Sequence, residues 1–280
     1  MRRPALAVLL TSGLALAAIV RPAPAQPPAS TPATAQPAAE PAPKSIPVPD
    51  GPVLKKIELD GGLIVEDIKI GDGYEVKDGG AVVAHYHGTL KADGKIFDSS
   101  FARGEPAAFP LSGVIQGWQK GVPGMKVGGV RRLTVPAAMG YGPQAMGDSI
   151  PANSDLVFVI ELVDALQIQD LEPGTGEAAA DQFVAATAQT IKGSDGHELS
   201  KADAAHPYIW IPGEIFVPDV KFDVMQAALN GMKVGGKRRV CIPKEMNISP
   251  PQLQVARAQK VPLTIDLELV SVRNLPSRRR

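Results

Sequence analysis

The chain has 280 residues, 29 of them basic and 29 acidic. It is long enough for one large domain or two ordinary ones, and it has no net charge to draw it to nucleic acid or an anionic membrane. Recognition must come from a local site. At the start, Arg2 and Arg3 precede a 16-residue apolar run, Ala5 to Val20, with Ala23 and Ala25 spaced behind it in "RPAPAQ". This pattern predicts a secretory signal over residues 1–25, cleaved after Ala25. An uncleaved anchor is the competing reading; the run is short for a bilayer, and the small-residue site follows directly. Cleavage removes Arg2, Arg3 and Arg21 and leaves 26 basic against 29 acidic residues. No cysteine follows the run, which excludes lipid attachment there, and the only cysteine anywhere is Cys241. Export without disulfides, into a periplasm-like compartment and with no stable membrane anchor after cleavage, is the expectation.

Between Pro22 and Pro52 stand 11 of the 27 prolines and almost no large apolar residue. Residues 26–52 are therefore read as an extended Pro/Ala-rich linker, able to span about 80 Å as polyproline II. Strand alternation begins beyond it. "AVVAHYHGTL" puts Val82, Ala84 and Tyr86 on one face and His85, His87 and Thr89 on the other, expected to be solvated; "DLVFVIELV" groups Leu156, Phe158, Ile160 and Leu162. Asp93-Gly94 suits a tight hairpin turn, and "VIQGWQKGV" has the one short helical spacing. His85 and His87 share a strand face, but two histidines without a third ligand do not make a structural metal site.

"GMKVGGVRRLTVP" at 124–136 returns as "GMKVGGKRRVCIP" at 231–243, and Glu161 in "IELV" returns as Glu268 in "LELV", both 107 residues on. Earlier landmarks shift less: Gly71 to Gly174 by 103 and Asp93 to Asp195 by 102. About five residues enter the second copy between hairpin and shared phrase. Two similar domains follow, at 53–168 and 169–273, joined near Asp170–Gly176 and ending in a basic tail, 274–280. The paired glycines are expected to form turns ahead of a strand, which makes the repeated phrase architectural. In "KRRVCIP", Val240 and Ile242 take one face and Cys241 the other.

In order, the first copy reads "VVAHYHGTL", "GKIFDSS", "VIQGW", "RRLTVP", "GYG" and "IPANSDLVFVIEL". This series, Gly71 to Asp164, resembles the FKBP-type peptidyl-prolyl cis-trans isomerases, above all the secreted bacterial ones. The resemblance implies an α+β fold of two tandem FKBP-like domains, each an antiparallel sheet wrapped on one short helix. It implies rotation about the bond before proline, without covalent chemistry, cofactor or metal, in the folding of exported proteins. Trp118 matches the pocket floor; Tyr86, Phe97, Val114, Ile115 and Phe158 match its walls, and Ile150 a flanking loop. The Ile115 N–H and the Tyr141 hydroxyl match donors to the substrate carbonyls. Asp98 matches a carboxylate facing the reacting carbonyl, with Arg103 as its basic partner. Proline-containing polypeptides are the implied clients and macrolides the implied inhibitors. Ala107 replaces a rim phenylalanine and Met146 a loop histidine, so client preference and macrolide affinity should differ.

The same positions in the second copy read differently: Tyr86 becomes Thr187, Phe97 becomes Leu199, Asp98 becomes Ser200, Trp118 becomes Met225, Tyr141 becomes Ile248 and Phe158 becomes Ile265. One fold is written twice and one active site once. The tract "HPYIWIPGEIFVPD", His206–Asp219, either binds extended clients or fills its own core through Tyr208, Trp210, Ile215 and Phe216. A chaperone that binds polypeptides without turnover is the alternative to the enzyme, and the retention of Asp98, Tyr141 and Trp118 together favours the enzyme.

Overall fold

Period-two alternation builds most of this protein. In strand β7 (Leu156–Ala165), Leu156, Phe158, Ile160 and Leu162 are buried while Val157, Val159 and Glu161 between them are half-buried. The computed structural model describes residues 46–180, 182–211, 223–246 and 261–276. The expected signal sequence, the linker up to residue 45, Ile215, Phe216, Ile248 and residues 277–280 lie outside them.

Strands β1 (Lys55–Leu59), β2 (Leu63–Lys69), β3 (Ala81–Leu90), β4 (Ile96–Ser99), β5 (Ala107–Pro110) and β6 (Val130–Val135) join β7 in one sheet, ordered β1-β2-β6-β7-β3-β4, with β5 also paired to β3. All these pairings are antiparallel. A short helix, α1 (Ser100–Arg103), follows β4, and a second, α2 (Gln116–Gly121), lies close against β6. That approach needs glycine: a Cβ on Gly117 would stand 2.5 Å from Val135, and one on Gly121 2.8 Å from Leu133.

The second sheet holds β8 (Gln167–Glu172), β9 (Phe183–Gly193), β10 (Glu198–Ala202), β11 (Tyr208–Trp210), β12 (Lys237–Ile242) and β13 (Leu263–Asn274), with helix α3 (Val224–Leu229). Its order is β10-β9-β13-β12-β8, with β11 on β9. Read from β8 this repeats β2-β6-β7-β3-β4, with β11 in the place of β5. The tandem α+β architecture is as expected, except that β1 has no counterpart. Asp170, expected in a join, is already in β8 and paired to Arg238. Each sheet carries its own apolar core, and Ala81, Val83 and Leu166 pack into the core of the second.

Why the shared phrase is shared becomes physical here. Gly128 and Gly235 have φ of 85° and 82°, the left-handed region. A Cβ on Gly71 or Gly174 would stand 2.2 Å from a backbone carbonyl of the phrase, at Val127 or Lys233. Arg131 donates from Nε to Asp67 (2.7 Å) and from Nη1 to the Gly121 carbonyl at the end of α2 (2.7 Å). Arg238 does the same with Asp170 (2.7 Å) and with the Ala228 carbonyl of α3. In each copy one buried guanidinium satisfies helix-end carbonyls and ties them to the neighbouring strand. The hairpins repeat as well: the amides of Lys95 and His197 each donate to the aspartate two residues back (2.9 Å), beside Gly94 and Gly196 at φ of 72° and 79°.

Two expectations need correction. His85 is not on a solvated face: it is 8% exposed, stacked on Phe101 of α1 (4.9 Å, 24°), with Nδ1 3.2 Å from the Ser100 hydroxyl. Helix α1 covers that face of β3, which strand alternation does not reveal; His87, farther along, is half-buried beside Ser99 (3.1 Å). The counterpart of Tyr86 is Gln189, not Thr187. Tyr86 lies opposite Ile160 and Gln189 opposite Leu267, whereas Thr187 lies opposite Leu269 as Ala84 does opposite Leu162. Leu90 donates to the Lys95 carbonyl across the first turn and Gly193 to the His197 carbonyl across the second, so the second hairpin is one residue shorter and the offset changes across it.

The two clamps differ in how dry they are. Arg131 and Asp67 side chains are 9% and 14% exposed, but Asp170 is 68% exposed. Arg131→Met strands a buried carboxylate and should destabilise by about 3 kcal/mol, whereas Arg238→Met should lose about half that or less. Urea unfolding of the two variants, read through midpoints at unchanged m, checks the order.

Candidate active site

Four strands of the first sheet and the start of α2 send side chains into a single concavity. Strand β3 supplies Tyr86, β4 supplies Phe97 and Asp98, β5 supplies Phe109, β7 supplies Phe158, and the start of α2 brings Val114, Ile115 and Trp118. Tyr141 and Gly113 complete the lining of a cavity of about 290 Å³. Seven of the residues expected as floor, walls or polar groups line it together with Tyr141. Arg103 stands one step behind, on Asp98, and Ile150 is buried in the core rather than in the lining. Phe109 was not expected. It sits two residues beyond Ala107 on the same face of β5, so period two from the missing rim aromatic points to it.

The rings meet edge to face around Trp118. Its centroid lies 5.9 Å from Tyr86 (81°), 5.4 Å from Phe109 (68°) and 5.5 Å from Phe158 (87°), and Phe97 meets Phe158 at 5.6 Å (82°). Each such pair adds about 0.5–1.5 kcal/mol beyond area burial, so the lining is stiff as well as apolar. The geometry requires Gly88: a Cβ there would stand 2.6 Å from the Phe97 ring and 3.1 Å from Phe158. The indole N–H of Trp118 is buried with no partner among the described residues.

Polar groups are few and tied together on one side. The Tyr86 hydroxyl donates to Asp98 Oδ2 (2.5 Å) and accepts from Arg103 Nη2 (2.8 Å), while Arg103 Nη1 donates to Asp98 Oδ1 (2.5 Å). Burial alone would raise the Asp98 pKa, but the hydrogen bonds from Tyr86 and Arg103 outweigh it and hold the carboxyl below its ordinary value. Burial and the Asp98 charge push the Tyr141 phenol up, so it remains a donor at neutral pH. Neither the Tyr141 hydroxyl nor the Ile115 N–H has a partner among the described residues, so both are available to a bound carbonyl.

In the second sheet the counterparts of Gly88, Phe109, Trp118 and Phe158 carry buried side chains. Ile191 stands where Gly88 does, each opposite the β10 or β4 residue Ser200 or Asp98. Trp210, in the place of Phe109, is 6% exposed and donates its indole N–H to Thr187 Oγ1 (3.0 Å) and Gln189 Oε1 (3.2 Å). Met225 and Ile265 replace the floor and wall as expected, both buried. For Trp210 the tract therefore fills its own core, while Ile209 and Ile211 beside it are exposed. Among the described residues no three His, Cys, Asp or Glu side chains are grouped to hold a metal ion, and no helix is long and apolar enough to cross a membrane.

Comparison with known proteins gives the lineage of this pocket. The FKBP-type peptidyl-prolyl cis-trans isomerase family profile matches residues 73–163. A "Probable FK506-binding protein" of Corynebacterium glutamicum is 48% identical over 103 residues, covering 37% of this chain and 86% of that protein. The "FKBP-type peptidyl-prolyl cis-trans isomerase FkpA" of Escherichia coli K12 is 43% identical over 122 residues, 43% of this chain but only 44% of that protein. The crystal structure of FkpA from Escherichia coli aligns with 39% of this chain and 51% of its own, at a TM-score of 0.37. The Corynebacterium protein is matched over 86% of its length, and the family profile spans the residues that build this cavity: the chain belongs to the FKBP-type peptidyl-prolyl cis-trans isomerase family.

Proposed function

We infer that cis-trans isomerisation of the bond before proline takes place in the first-sheet cavity, with the proline ring over Trp118. The observation that carries this reading is the convergence, in one proline-sized space, of five aromatic rings, two free donors and one fixed carboxylate. The uncatalysed barrier is about 18–20 kcal/mol because rotation breaks amide resonance. The half-rotated amide carries less charge on oxygen than the planar one, so a cavity that excludes water favours it relative to solution. The Tyr141 hydroxyl and the Ile115 N–H hold the flanking carbonyls so that binding orients the bond to be turned. Asp98, held against the wall by Tyr86 and Arg103, faces the carbonyl that loses its resonance. The clients are proline-containing segments of polypeptides, and the expected signal at 1–25 would place the work on exported chains, in the periplasm. With its concavity occupied by Trp210 and Ile191, the second sheet serves as a non-catalytic accessory.

Gly88→Val drives a methyl into Phe97 and Phe158. In the full-length protein kcat/KM for a proline tetrapeptide should fall roughly tenfold or more while far-ultraviolet dichroism holds, because β3 remains a strand. Turnover unchanged in both this variant and Trp118→Ala would overturn the assignment of the reaction to this cavity.

Asp98→Asn should lower kcat/KM by about tenfold, the effect of replacing a charged hydrogen-bond acceptor by a neutral one. The pH profile gives an independent reading. A depressed folded pKa means the carboxylate's contribution is complete above the unfolded value of about 3.9 and disappears only as pH falls through the lower folded one. The wild type should therefore be flat from about pH 5 to pH 8, and Arg103→Met should move the acid limb upward.

A further inference from the structure

A second concavity lies away from the aromatic one and shares no residue with it. It measures about 140 Å³ and is lined by Lys55 of β1, Lys69 at the end of β2, Lys126 of the repeated phrase and Arg131 of β6, against the single carboxylate of Asp67. Four cations face one anion in a chain whose 29 basic and 29 acidic residues balance. Among the described residues none of the three lysines has a carboxylate within 4.0 Å, although Lys56 and Lys77 nearby do. Arg131 is the buried member, with its side chain 9% exposed. Its Nε and Nη1 serve the clamp, and Nη2 has no protein partner yet is not sealed from solvent.

The internal repeat separates what the fold needs from what it does not. Asp67 and Arg131 return as Asp170 and Arg238, and Lys126 as Lys233. Lys69, opposite Val130, is replaced by Glu172, opposite Lys237, and those two form an ion pair (2.9 Å). Lys55 has no counterpart because β1 has none. The same turn and clamp therefore stand without the extra lysines, so the folding of this corner does not explain their convergence. Like charges brought together without partners raise the local potential and attract an anion.

We propose that this cleft is an anion site for a phosphate-bearing ligand. A tetrahedral, multiply charged oxyanion can meet several ammonium groups and the guanidinium Nη2 at once, which a single carboxylate cannot. The volume suits one phosphoryl group and is below that of sites holding whole drug-sized ligands. Its source is either free phosphate or a lipid headgroup, and Ile70, 61% exposed on the rim, suits the second.

The test uses the full-length protein labelled with ¹⁵N. Inorganic phosphate, with sodium chloride at matched ionic strength as control, should shift the Gly71 and Gly129 amide resonances saturably, with Kd of about 1 mM or below. In a second arm the protein is floated with phosphatidylglycerol or phosphatidylcholine vesicles. Binding to phosphate alone assigns a free ligand, and binding to phosphatidylglycerol, with or without phosphate, assigns a headgroup. The double variant K69E/K126E should abolish whichever response is seen and leave isomerase turnover unchanged. Lys69→Glu copies what the second sheet carries, and K55Q/K69Q/K126Q gives the same reading without added negative charge. Responses equal to those in chloride, or retained in both variants, would overturn the site.

Discussion

The aromatic cavity of this protein depends on a missing side chain. Three rings meet Trp118 on their edges and a fourth meets Phe158, and this set closes only because Gly88 leaves room for Phe97. Edge-to-face rings hold one another's angles, so the lining keeps its shape when empty and no side chain has to be ordered on binding. A preformed dry space is what the chemistry needs, since the barrier to be lowered belongs to an amide that loses polarity as it turns. The second sheet shows the converse: Ile191 takes that position and Trp210 is buried, so similar strands place bulk where the first sheet leaves room.

A charge beside such a cavity has to be held at its edge. Asp98 receives Tyr86 on one oxygen and Arg103 on the other, and Arg103 also donates to the Tyr86 hydroxyl, so the three groups fix one another. Tyr86 is itself fixed by the backbone: its N–H donates to the buried Ser100 hydroxyl (2.7 Å) at the start of α1, and His85 contacts the same oxygen from the other face of β3. Burial lowers the His85 pKa, despite the opposing pull of Glu161, and keeps the ring neutral beneath Phe101. The pair His85 and Tyr86 thus points one residue into the support and the next into the site.

How much of this was legible from sequence follows from the range of each signal. Alternation in β3 and β7 and the Asp-Gly turns are local, and they read correctly. The family pattern gathered Tyr86, Asp98, Trp118 and their neighbours, because motif order carries long-range information that periodicity lacks. What failed required knowing what lies across a strand. His85 looked solvated because alternation assigns faces without saying what covers them. Gln189 was missed because the second hairpin is one residue shorter than the first, and the pairing across a turn, not the turn's sequence, fixes the offset. Phe109 carries no motif of its own, and only its place on the face of β5 shared with Ala107 brings it to the cavity.

The repeat also separates the residues of the frame from those of the cavity. The conserved phrase works at the far end of the helix, where Arg131 or Arg238 fastens helix-end carbonyls to a strand aspartate, and at Gly71 or Gly174, where no Cβ fits. The site works at the near end, where Ile115 and Trp118 enter the cavity. Frame and site thus occupy different residues of the same elements, so substitution at one leaves the other intact. Replacing pocket residues by Ile191, Met225 and Ile265 fills the space with apolar groups, so nothing in the frame has to compensate for the lost cavity.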